Sequence, residues 1–103
     1  MKKINQDLTV TETSFEHSLI IGTSRMSEFD GPYNRIVECF GLPTVLDDPD
    51  KVQVEWLVLT QDGVAIIYDY KEEYNNYTEV TDWHIGGHNK ASAQWVLEVL
   101  TYK

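Results

Sequence analysis

Two runs of β-branched and aromatic residues, Val52-Gln53-Val54-Glu55-Trp56-Leu57-Val58-Leu59-Thr60 and Val64-Ala65-Ile66-Ile67-Tyr68-Asp69-Tyr70-Lys71, flank the pair Asp62-Gly63. Asp-Gly favours the tight type I′ turn, so the two runs are predicted to form a β-hairpin. A two-residue loop at Asp62-Gly63 sets Leu59 opposite Ile66, Leu57 opposite Tyr68, Val58 opposite Ile67 and Trp56 opposite Asp69. Large apolar side chains then stand on both faces. Such a pair is central to a sheet, or has one face covered by helices and the other by a second chain. A homo-oligomer is the expectation that follows.

Shorter signals complete the layer. Leu8-Thr9-Val10-Thr11 and residues 15–21 have the character of one or two further strands ending at Gly22. Asp30-Gly31-Pro32 opens a short helix in which Tyr33, Ile36, Val37 and Phe40 recur at helical spacing, with Gly41 and Pro43 as its stop. Residues 42–51 and 72–78 read as loops. Residues 80–85 form another strand, with Thr81, Trp83 and Ile85 on one face and Val80, Asp82 and His84 on the other, and Gly86-Gly87 ends it. From Asn89 a helix runs to Leu100, burying Ala93, Val96, Leu97 and Leu100, with Trp95, Val99 and Tyr102 on an adjoining face. No repeat or linker divides the chain, so residues 1–103 are predicted to be one α+β domain. Its architecture is an antiparallel sheet of three to five strands with a central β-hairpin, packed by two helices.

Charge restricts the partners. The chain carries 8 Lys and Arg against 17 Asp and Glu, a formal net charge of −9. Direct nucleic-acid binding and docking on an anionic membrane both need a cationic face, and are therefore not expected. A basic protein is an admissible partner. Cys39 is the only cysteine, which excludes an intrachain disulfide and suits a reducing cytoplasm. The longest apolar run, 64–68, is far too short to cross a membrane, and no apolar segment follows Lys2-Lys3 to make a leader.

The segment Trp83-His84-Ile85-Gly86-Gly87-His88-Asn89-Lys90 is the first candidate site. Gly86 and Gly87 would let the backbone approach a ligand, and a helix beginning near Asn89 would aim free N–H groups at it. His88 and Lys90 add donors, His84 lies close by, and Trp83 or Tyr77 supplies a surface for stacking a base. The alternative is that Gly86-Gly87 simply turns a strand into a helix and Asn89 caps it. Arg25 and Arg35, in the segment 22–35, are cations suited to phosphate, or else to surface salt bridges.

No catalytic or metal set emerges. His84 and His88 are four apart but Gly86-Gly87 intervenes, and no cysteine pair completes a zinc site. Asp47, Asp48 and Asp50 lack the glycine and terminal glutamate of a calcium loop. Cys39 follows Glu38, whose carboxylate opposes thiolate formation, and only His84 with Asp82 approaches an acid–base pair. The expectation is a protein that is not an enzyme and uses no cofactor.

The series Phe40-Gly41-Leu42-Pro43, Val54-Glu55-Trp56, 64–71 and Asp82-Trp83-His84-Ile85-Gly86-Gly87 resembles a family of small bacteriophage hypothetical proteins. The Trp-His-Ile-Gly-Gly block is the most specific part. A weaker likeness is to the phage Thoeris anti-defence sponge proteins. That resemblance implies an oligomeric α+β protein of the host cytoplasm that sequesters an immune signalling nucleotide, of cyclic nucleotide or cyclic ADP-ribose type, without cleaving it. Its pocket would use Arg25, Arg35, Tyr77, Trp83, His84, Gly86, Gly87, His88 and Lys90. The alternative function is an acidic inhibitor, of anti-CRISPR or DNA-mimic type, that covers a basic surface of a host nuclease or polymerase.

Overall fold

The computed structural model describes residues 1–14, 22–46, 54–69 and 77–102. The strands are β1 (Lys2–Ile4), β2 (Val10–Glu12), β3 (Ser24–Asp30), β4 (Val45–Leu46), β5 (Val54–Thr60), β6 (Gly63–Tyr68) and β7 (Asp82–Gly87). Helix α1 (Tyr33–Phe40) lies between β3 and β4, a 3-10 turn (Tyr77–Glu79) precedes β7, and α2 (Lys90–Thr101) follows it. The sheet order is β2-β1-β5-β6-β7-β3, with β4 beside β1 on the same side of β5.

The α+β class with two helices therefore stands, but the sheet departs from a purely antiparallel one of three to five strands. Among the described residues it has seven strands, and β1 pairs parallel with β5, Lys2 opposite Val58. The extra strands are illegible for physical reasons. β1 and β4 are only 3 and 2 residues long, too short to display a period of two, whereas β2 falls on the strand expected at Leu8-Thr9-Val10-Thr11 but begins at Val10. In β3 a bulge between Arg25 and Ser27 breaks the alternation. β4 occupies part of the segment expected to be a loop. The strand expected at 15–21 and the loop segments 47–51 and 72–76 lie outside the described residues.

The hairpin forms in a different register. Thr60 stands opposite Gly63, Leu59 opposite Val64, Leu57 opposite Ile66 and Trp56 opposite Ile67. The loop is thus Gln61-Asp62 rather than Asp62-Gly63. Thr60 explains the choice: its hydroxyl donates to the Gly63 carbonyl at 2.6 Å and accepts from the Asp62 N–H at 3.1 Å. Only Gly63 takes a positive φ, 120°, so glycine sits at the last position of the turn, as in a type I turn, not inside a type I′ pair. The shift is by two residues, so every side chain keeps its expected face.

Both helices pack on one face of the sheet, where Trp56, Ala65, Ile67, Trp83 and Ile85 meet Ile36, Phe40, Ala93, Val96 and Leu100. Trp56 and Trp83 stand edge to face, with ring centroids 5.4 Å apart and planes at 76°, and Tyr33 of α1 lies 5.8 Å from the first and 6.3 Å from the second. The two indoles also fasten both ends of α1. Trp83 Nε1 donates to the Gly31 carbonyl at 3.0 Å, and Trp56 Nε1 donates to the Gly41 carbonyl at 2.9 Å. A buried indole N–H needs such a partner, and here the partner is also a helix flank. On the opposite face Leu57 and Val64 are only 1% and 2% exposed within one chain. Their burial does not require a second copy.

Candidate functional site

The strand-to-helix corner is built differently from the anion cradle that the sequence predicts. β7 runs through Gly87, and neither Gly86 nor Gly87 has a positive φ. Gly86 stands between Ile66 and Arg25, and Gly87 between Ala65 and Ser24. Their smallness serves packing. A Cβ on Gly87 would run into the Ser92 hydroxyl of α2, and one on Gly86 would lie 3.2 Å from the Ser24 carbonyl. One free donor of the first turn of α2 is taken by the cap: the Ser92 N–H donates to Asn89 Oδ1 at 2.9 Å, and Ser92 Oγ donates to the Asn89 carbonyl at 2.8 Å. Asp62 from the hairpin turn closes the corner. Its carbonyl accepts from Asn89 Nδ2 at 3.0 Å, and its carboxylate accepts from Trp95 Nε1 at 2.7 Å. Asp62 therefore ties the hairpin turn to α2 at its cap and at Trp95, and Ser92 fills the space above Gly87.

Arg35 and Lys90 do not meet. Arg35, on α1, donates through Nε to the Leu100 carbonyl at 2.8 Å and through Nη2 to the Tyr102 carbonyl at 3.0 Å. It caps the C-terminal end of α2, where carbonyls lack helical partners and a cation is favoured by the helix dipole. Lys90 is exposed at the other end of that 12-residue helix, roughly 18 Å away at 1.5 Å per residue. Arg25 lies opposite Gly86, as a pocket would require, but it is exposed and pairs with Glu28 at 3.5 Å. His88 is exposed beside Gly22, while His84 packs on the Tyr68 ring with centroids 5.4 Å apart. Trp83 is fully buried and offers no face for stacking. Tyr77 opens the 3-10 turn, and its side chain lies outside the described residues.

The capping role of Arg35 has a measurable consequence. Arg35→Gln should lower stability by about 1–2 kcal/mol, because charged donors to carbonyls are lost while the exposed contact to Glu38 contributes little. A urea denaturation curve should move its midpoint down with an unchanged slope. An unmoved midpoint would show that the guanidinium does not hold α2.

Sequence reasoning missed the face opposite the helices, at the β3–β7 edge. Glu28, Asp30 and Asp82 are exposed there, with Asp30 directly opposite Asp82 and Glu28 opposite His84. They line a groove of about 270 Å³ together with His84. The spacing Glu28-x-Asp30 and Asp82-x-His84 carries the signal, but it becomes readable only once residues 24–30 are known to be a strand. Directly opposed like charges cost stability in a sheet, so this arrangement is not what folding alone favours.

Other chemistry has little purchase. Among the described residues no group of three or more His, Cys, Asp or Glu side chains could hold a metal ion. Cys39 is half-buried with its Sγ 3.7 Å from the Val99 carbonyl, and desolvation pushes its thiol pKa up, against the lowering influence of Arg35. No helix among the described residues is long and apolar enough to cross a membrane.

Fold and site together define a small two-layer α+β protein with a filled helix corner and an acidic sheet edge. No protein-family model, no curated protein and no solved structure matches the chain.

Proposed function

We propose that this protein is a non-catalytic inhibitor that covers a basic, nucleic-acid-binding surface of a host nuclease or polymerase with its acidic β3–β7 face, as a phage counter-defence protein would. The observation that carries this is the opposition of Asp30 and Asp82 on an exposed face, flanked by Glu28. Carboxylates held side by side on rigid strands present a fixed negative surface, and a net charge of −9 steers it toward a cationic one. Sequestration of a signalling nucleotide is less well supported, because α2 separates Arg35 from Lys90 and Ser92 occupies the glycine corner.

The test is displacement of a fluorescent DNA duplex from a panel of purified host nucleases and polymerases. At least one should release its duplex at about micromolar protein or below, with an apparent affinity that falls as salt is raised. Asp30→Asn with Asp82→Asn should weaken that inhibition about tenfold while leaving stability equal or higher, since repulsion is relieved. Absence of displacement across the panel would overturn the proposal. A melting temperature raised by cyclic ADP-ribose or a cyclic nucleotide in the same preparation would put sequestration in its place.

A further inference from the structure

The outer edge of β3 presents backbone groups in a defined phase. Among the described residues no strand pairs with its far side, since β3 ends the sheet order. The Gly31 N–H donates to the Thr81 carbonyl at 2.9 Å, which fixes the phase of the ladder. In an antiparallel pair, opposed residues alternate between hydrogen-bonded and non-bonded positions. With Gly31 opposite Thr81 bonded, Phe29 opposite Trp83 and Ser27 opposite Ile85 are bonded as well. Glu28 and Asp30 take the alternate positions, so their backbone N–H and C=O groups point away from β7, out of the sheet. The same two residues carry the exposed carboxylates.

We propose that β3 accepts an extended segment of a basic partner protein as an added strand, paired with the backbone of Glu28 and Asp30. This rests on the acidic-inhibitor proposal above and names the way the partner is held. Residues of the added strand directly opposite Glu28 and Asp30 share their face, so lysine or arginine belongs at those positions, two apart. The residue between them falls on the helix side of the sheet next to half-buried Phe29, and is apolar. The recognised pattern is basic–apolar–basic in an extended chain. Charge also selects against the other occupant, a second copy of β3, because pairing the edge with itself would crowd Glu28 and Asp30 against their own counterparts.

The experiment uses the full chain and three blocked peptides of equal length: alternating lysine and valine, the same peptide N-methylated at the amides that would bond to β3, and alternating glutamate and valine. The lysine peptide should bind with an affinity that weakens as salt rises, and the amides of Glu28 and Asp30 should exchange with solvent at least tenfold more slowly in its presence. The N-methylated peptide keeps its charge and should bind about tenfold more weakly, and the glutamate peptide should not bind. Equal binding of the methylated peptide, or unchanged exchange at Glu28 and Asp30, would overturn strand addition while leaving the acidic-face proposal standing. Failure of both lysine peptides to bind would overturn the two together.

Discussion

Trp83→Ala should bring the protein to the edge of unfolding. Trp83 has no exposed surface, meets Trp56 edge to face at 5.4 Å and Tyr33 at 6.3 Å, and holds the start of α1 through the Gly31 carbonyl. Truncating a buried tryptophan costs about 3–5 kcal/mol, and the deserted carbonyl adds to that. A domain of this size has roughly 5–15 kcal/mol in total, so the loss takes a large part of it. The expected result is a low, broadened melting transition with weakened near-ultraviolet dichroism. Trp83→Phe keeps most of the ring and forfeits the hydrogen bond, so it should cost about 2 kcal/mol and retain cooperative unfolding. An external stacking residue would behave in the opposite way: its removal would spare the fold. Wild-type stability in Trp83→Ala would therefore show that the ring is not the keystone between the sheet and α1.

What could be read before folding follows from how local each signal is. Helix α1 was legible because Pro32 starts it, Gly41 stops it, and its apolar spacing is helical within eight residues. Helix α2 was legible from its helical apolar spacing alone, and Asn89 caps it, as the packing alternative to an anion cradle supposes. The faces of β5, β6 and β7 were legible because parity survives a register shift. Contacts across the chain were not. Nothing near Arg35 in sequence says that its guanidinium ends on the carbonyls of Leu100 and Tyr102. Likewise the pair Gly86-Gly87 looks the same whether it admits a ligand or a serine hydroxyl. The distinction lies in Ser92, one helical turn beyond the cap. The acidic edge was hidden because Asp30 and Asp82 become neighbours only through the pairing of β3 with β7.

Gly87→Ala is expected to be severely destabilising, and Ser92→Ala should rescue it. The added methyl would collide with Ser92 Oγ and would also lie 3.3 Å from the Val64 carbonyl and 3.4 Å from the Asn89 carbonyl. Ser92 is wholly buried, and its hydroxyl is tied to Asn89, so it cannot swing into solvent. Overpacking of this kind costs about 3 kcal/mol, which corresponds to a melting temperature lower by more than about 12 °C in a domain of this size. Ser92→Ala alone removes one hydrogen bond but keeps the Asn89 cap on the Ser92 N–H, and should cost about 1 kcal/mol. In the double variant the hydroxyl is gone, so the added methyl meets only the two carbonyls. The combined loss should then fall short of the sum of the single losses by more than about 1 kcal/mol. Had Gly87 been small in order to admit an anion, its replacement would impair binding at nearly full stability, and removing the serine hydroxyl would restore nothing. Strict additivity of the two substitutions in thermal melts would accordingly mean that the contact between β7 and α2 is not what requires glycine at position 87.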